Sequence, residues 1–217
     1  MSTEIPILQI QDLEFHYNQP LLNIADFEVF RGESVGVLGP SGCGKTTFMH
    51  LVAGLLRPAR GKIRVAGTDI TQLSEGQVDR IRGSNIGIVF QRLHLVPSLS
   101  VIDNLLLAQR LARTPIDRGY AMDLLGQLGI PELANRKPHQ LSQGQAQRVA
   151  IARSVAHRPV LLVADEPTSA LDDENAEDAI KVLRELTTST EAALIVVTHD
   201  ERVRGHLDRV LNLGGAQ

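Results

Sequence analysis

Cysteine is almost missing from this 217-residue chain. Cys43 stands alone, which excludes an intramolecular disulfide framework and a cysteine-based zinc site. Lysine is scarce as well: only Lys45, Lys62, Lys137 and Lys181 occur, so a lysine inside a glycine-rich run stands out. No excess of positive charge exists either. With 22 basic and 25 acidic residues the net charge is -3, which disfavours a general nucleic-acid binder. Apolar runs stay well short of the roughly 18 residues that span a membrane. Met1–Ile10 has neither the basic nor the long apolar stretch of a secretory signal. The chain is therefore expected in the cytosol, and any work at a membrane has to go through a partner. What is present, 43% hydrophobic and 22% charged residues, suits one folded unit, with room for two lobes.

Three stretches differ in pattern. Up to about Gln91 the chain reads as strand-rich. Leu8, Ile10, Leu13 and Phe15 approximate a period of two, as does Ile63 with Val65, and Ser34–Leu38 and Ile86–Phe90 are short apolar runs. From 92 to 156 the pattern is helical. Ser100 and Asp103 look like a capping box opening Val101–Arg113, and Tyr120, Leu124, Leu125 and Leu128 share a face that ends at Gly129. Alternation then returns: a strand at Val160–Ala164, a helix at about Asp173–Leu186, and a strand at Ala193–Val197. Strand, helix, strand in series implies a mostly parallel sheet with right-handed crossovers. The expected division is a core lobe at 1–91 and 157–217, with a helical lobe at 92–156 inserted into it.

Gly39-Pro40-Ser41-Gly42-Cys43-Gly44-Lys45-Thr46 follows one strand and opens a helix at about Thr46–Ala53. That is G-x-x-x-x-G-K-[ST] in the context it needs. Glycines let backbone N–H groups converge on phosphate oxygens without Cβ clashes, and the helix N-terminus adds partial positive charge. Lys45 supplies a point charge for the β- and γ-phosphates, and Thr46 a hydroxyl for Mg²⁺. Val160–Ala164 runs into Asp165 and Glu166, one carboxylate placed for the Mg²⁺ shell and one to polarise an attacking water. Ser142 reads as the N-cap of a helix running to about Ala156. That end, with the Gly144 amide, is also suited to hold phosphate. One compact chain cannot readily grip one ATP from both sides, so a second copy is the natural source of this grip.

The order Gly39–Thr46, Gln91, Leu141–Gln145, Asp165-Glu166, Ser169–Asp172 and His199 resembles the ATP-binding-cassette ATPases. The likeness runs from Tyr17 to His199. It implies a RecA-like P-loop NTPase core, a small antiparallel β subdomain and an inserted helical lobe. The cofactors it implies are ATP and Mg²⁺, and two copies would sandwich two nucleotides. Tyr17 matches the residue that stacks on adenine, with Phe15 a rival for that role. Thr47 goes with the phosphate loop. Gln91 matches a contact to Mg²⁺ and water, Gln145 belongs to the signature with Ser142 and Gly144, and Asp172 links the two sites across the dimer. His199 matches the residue that contacts the γ-phosphate and supports Glu166. His94 and His139 have no chemical case. Two departures occur: Gln143 and Ala146 replace the signature's usual glycine and glutamine. Ser142 and Gly144 remain, so activity is expected to survive. Cys43 reads as a small residue that fits the loop, in a position that favours a thiolate.

The resemblance implies a subunit that hydrolyses ATP and drives a separate permease from the cytoplasmic face of the inner membrane. Arg92–Leu99 is more apolar than a free loop should be and matches the region that receives the permease. Arg82–Gln91 and Pro97–Asn104 look most like the lipoprotein-releasing, macrolide-exporting and cell-division ATPases, which points to export or mechanical transmission. Only 18 residues follow His199, so no C-terminal regulatory domain is expected. Two alternatives stand beside this. One is a regulator that signals across the membrane and transports nothing. The other is a soluble ATPase acting on ribosomes or DNA, which the single cassette and the lack of sustained heptads disfavour.

Overall fold

The structure, a computed structural model, describes residues 5–168 and 173–214. Strand β1 (Leu8–His16) alternates buried and exposed side chains and pairs antiparallel with β2 (Pro20–Val29), Ile10 opposite Phe27. The phosphate-loop strand β3 (Ser34–Leu38) leads into helix α1 (Lys45–Val52). Strands β4 (Arg60–Val65) and β5 (Thr68–Asp69) complete an antiparallel sheet in the order β2-β1-β4-β5.

Helix α2 (Glu75–Asn85) lies inside the stretch that reads as strand-rich. It buries only Val78, so its sequence carries little helical periodicity. Its start was nonetheless encoded: the Ser74 N–H donates to Gln77 Oε1 at 3.0 Å, in a capping box. Then follow β6 (Ile86–Val89), α3 (Val101–Leu111), α4 (Arg118–Gln127), α5 (Gln143–Val155), β7 (Leu161–Asp165), α6 (Asp173–Thr190), β8 (Ala193–Thr198) and β9 (Arg209–Asn212). The second sheet has the order β6-β7-β8-β3-β9, and every neighbouring pair is parallel.

β3, β7 and β8 are buried along their whole length, as strands covered on both faces must be. One apolar cluster joins the antiparallel sheet, α1 and one side of the parallel sheet, through residues such as Phe27, Phe48 and Ile195. The other joins α3, α4, α5 and α6 to the opposite side, through Leu105, Leu125, Val149 and Leu194. Contact is tightest at Gly87 in β6. A Cβ there would lie 2.2 Å from the Ser154 carbonyl, so α5 rests directly on the strand backbone. No described helix is long and apolar enough to cross a membrane.

Candidate functional site

Adjacent strands β6, β7, β8 and β3 all end at the same edge of the sheet. Gln91 follows β6, Glu166 follows β7, His199 follows β8, and the loop from Gly39 follows β3. Carboxyl ends of parallel strands are where α/β proteins bind ligands. Here they form one cleft, which Gln91, Glu166 and His199 line together with Ser41, Lys45 and Thr46. Gly42, Gly44 and Thr47 complete the loop side, and Tyr17 stands at the same cleft.

The loop is built for close approach. Gly44, the N-cap of α1, has φ 98° and offers no side-chain cap, so the helix N-terminus stays open toward the cleft. Gly42 also has positive φ, and a Cβ there would meet nothing within 4 Å. Gly39 is glycine for a different reason. Its Cβ would lie 2.4 Å from the Leu213 carbonyl and 2.7 Å from Cys43 Sγ, so packing forbids a side chain. Pro40 sits between them, and its carbonyl accepts from the Cys43 N–H at 3.4 Å. Lys45 is 7% exposed and donates to the carbonyls of Gly39 at 2.8 Å and Pro40 at 3.0 Å. Thr46 is exposed at the first turn, whereas Thr47 is buried.

Opposite the loop, Glu166 adopts φ 48°, in the left-handed region where a side chain costs about 1–2 kcal/mol. Its N–H donates to the Val197 carbonyl at 2.7 Å, which holds the turn. The carboxylate accepts from Thr198 Oγ1 at 2.7 Å and lies 2.9 Å from His199 Nδ1. Lys45 Nζ is 4.0 Å away. Asp165 is buried, and its Oδ1 has no hydrogen-bond partner. Burial first, then neighbouring Glu166, pushes its carboxyl up to about 6, and Lys45 opposes them. Among the described residues no group of three or more His, Cys, Asp or Glu could cage a metal. The donors present are instead an orphaned carboxylate oxygen, the Thr46 hydroxyl and Gln91. They suit Mg²⁺, which takes one or two carboxylates plus substrate phosphates rather than an all-protein cage.

Tyr17 is 62% exposed, whereas Phe15 is 8% exposed and meets it edge-on at 5.0 Å between ring centroids. Tyr17 thus presents its ring at the cleft, and Phe15 lies behind it in the core cluster. Ser142, Gly144 and Gln145 line a different cleft, between α5 and α6, with Arg148 and Asp178. The Ser142 N–H donates to Gln145 Oε1 at 2.9 Å, and Ser142 Oγ accepts from the Gln145 N–H at 3.3 Å. This box organises the end of α5 without engaging the Gly144 amide. Asp172 lies outside the described residues.

Sequence reasoning missed Thr198 and Asp200. Thr198 is fully buried at the end of β8, and Asp200 accepts from Thr168 Oγ1 at 2.9 Å. A hydroxyl closing an apolar strand next to His199 was the available signal. It also missed Asn104, which is fully buried and fixes the loop ahead of α3: Oδ1 accepts from the Val96 N–H at 2.8 Å and Nδ2 donates to the Ser100 carbonyl at 2.9 Å.

A phosphate loop opposed by an acidic strand end and a histidine on one parallel edge defines a P-loop ATPase. Residues 22–169 match the ABC transporter family model, and the chain belongs to that family as an ATP-binding, ATP-hydrolysing member. An uncharacterized ABC transporter ATP-binding protein of Mycobacterium tuberculosis is 37% identical, over 98% of this chain and 88% of the relative. The lipoprotein-releasing system ATP-binding protein LolD of Anaeromyxobacter dehalogenans is 40% identical, over 89% of this chain and 82% of the relative. Among solved structures, the dimeric ATP-binding cassette MJ0796 bound to ADP and Pi superposes with a TM-score of 0.84 at 31% identity, covering 95% and 94% of the two chains. Clostridium perfringens CbiO1, part of an ABC transporter complex, superposes with a TM-score of 0.87 at 32% identity, covering 97% and 85%.

Proposed function

We propose that the chain drives a separate membrane permease, by export or by mechanical transmission, through ATP-dependent closure of a homodimer at the cytoplasmic face of the inner membrane. One observation carries the homodimer in this reading: the phosphate loop and the Ser142 helix end open onto different clefts of one chain. A nucleotide held by both needs two chains. The dimeric MJ0796 cassette and the LolD name support the assembly and its membrane partner.

In this proposal Lys45 leaves the Gly39 and Pro40 carbonyls for the β- and γ-phosphates, and the amides from Ser41 to Lys45 surround them. Tyr17 stacks on the base. The second chain's Ser142, Gly144 and Gln145 close over the γ-phosphate, and Asp172 links the two sites. Mg²⁺, when bound, neutralises charge on the phosphates. Thr46, Gln91 and Asp165 would hold it. Glu166 takes the proton of the attacking water, and His199, released from Glu166, reaches the γ-phosphate.

The helical lobe at 92–156 is the moving part. The loop at Arg92–Leu99 borders an apolar groove lined by Phe90, Val96, Leu107 and the 71% exposed Leu111. Leu95 instead packs against the helical core. The groove suits a short cytoplasmic helix of the permease.

The test is affinity isolation of tagged Glu166→Gln chain with ATP from solubilised native membranes. This variant should hydrolyse ATP about 10²–10⁴-fold more slowly and hold the ATP-bound dimer. Co-isolation of a membrane protein with a large external domain is the expected result. Recovery of the chain alone, where a control transporter stays assembled, refutes the permease, and wild-type turnover refutes Glu166 as base.

A further inference from the structure

We infer that Thr198 is a positioning residue for hydrolysis: its hydroxyl holds the Glu166 carboxylate in its working orientation. The inference rests on reading Glu166 as the group that activates water. Thr198 is fully buried and closes β8, after Ala193–Val197, a run without a polar side chain. Its Oγ1 has two polar neighbours. The Asp200 N–H lies at 3.1 Å and can only donate, so the hydroxyl accepts there. The hydroxyl proton is left for Glu166 Oε2 at 2.7 Å. Backbone geometry thereby fixes the direction of a proton that could otherwise rotate.

Asp200 keeps that amide in place. Its Oδ1 accepts from the Arg202 N–H at 3.0 Å and from Arg202 Nε at 2.8 Å, while Oδ2 accepts from Thr168 Oγ1 at 2.9 Å. Thr168 is fully buried and lies two residues after Glu166. The turn after β7 and the turn after β8 are therefore tied together on both sides of the carboxylate.

The His199 N–H also donates to Oε2 at 3.4 Å, and the two side-chain donors described here, Thr198 and His199, differ in freedom. His199 is 56% exposed at its side chain, so its ring can swing toward a phosphate. Thr198 cannot move without breaking the strand end. Once the imidazole leaves, the threonine hydroxyl and the His199 N–H still restrain Oε2, and Oε1, 4.0 Å from Lys45 Nζ, is the oxygen that takes the proton of water. A base displaced by even a fraction of a bond length loses much of its advantage.

The experiment compares Thr198→Val, Thr198→Ser and Thr198→Cys with wild type, measuring phosphate release against ATP concentration and melting temperature, with Glu166→Gln alongside. Valine keeps the shape and removes the hydroxyl. Its kcat should fall about 10- to 100-fold, the worth of a hydrogen bond to a charged group, while the KM for ATP stays within about threefold. Serine should restore kcat to within about threefold, and cysteine, a weak donor, should not. These ratios should hold whatever the order of melting temperatures. A valine variant within about threefold of wild type, or cysteine rescuing as well as serine, overturns the role of the hydroxyl while Glu166→Gln remains slow. If Glu166→Gln is itself fast, the assignment of the base fails and this inference falls with it.

Discussion

Gly144→Ala separates folding from catalysis. Gly144 is the second residue of α5, and a Cβ built there meets nothing within 4 Å. Alanine is the better helix former, so the variant should be as stable as wild type or gain up to about 1 kcal/mol. For a chain of this size that is a rise in melting temperature of at most about 2–4 °C. The empty space is the region that a second chain's γ-phosphate would enter in the proposed dimer. A methyl group there prevents the amide from closing to hydrogen-bond distance. Losing one charge-assisted bond is worth about 1.5–3 kcal/mol, or roughly a 10- to 100-fold fall in turnover. ATP binding to the single chain, which uses Lys45, should be unchanged. Phosphate release, nucleotide titration and thermal melting of the same preparation measure all three quantities. Turnover equal to wild type would show that no phosphate comes to this amide. A large drop in melting temperature would show that the glycine serves the fold.

The remaining predictions concern the fold around the site. Asn104→Leu should cost about 1–3 kcal/mol in urea unfolding, because the Val96 N–H and Ser100 carbonyl lose a buried partner; an unchanged midpoint would refute it. Asp165 gives a pH dependence. Its folded pKa, about 6, lies above the ordinary value of 3.8, so its contribution is fully present below 3.8 and is lost as pH rises through about 6. Wild type without nucleotide or Mg²⁺ should thus lose stability over that interval relative to Asp165→Asn, and parallel pH profiles of the two proteins would contradict this.

Much of the parallel core was legible because it repeats one unit: an apolar strand, then a loop carrying chemistry. β3, β7 and β8 each fall within a residue of the run that announces them. Patterns failed where burial is slight or broken. β2 is interrupted by exposed Ala25 and Asp26 between buried Ile24 and Phe27, so its period of two is lost, and α2 has one buried residue. Motifs located the loop, the acidic pair and His199 because glycine, lysine and carboxylates at those spacings have few other uses. They could not show that Lys45 rests on its own loop carbonyls, or that Thr198 holds Glu166, because both depend on contacts between separate strand ends. The apolar character of Arg92–Leu99 had two causes that sequence could not divide: Leu95 belongs to the core, and Val96 lines the groove.

The side chain of Gln147, one turn into α5, donates to the Pro167 carbonyl at 3.3 Å, in the turn that carries Glu166. The helix a chain would lend to its neighbour is thus fastened to the turn it keeps for itself. In a pair of such chains, strain at one nucleotide would reach this amide and, through it, the wall of the other. The two sites would then behave less like independent engines than like two teeth on one gear, each stroke setting the clearance for the next.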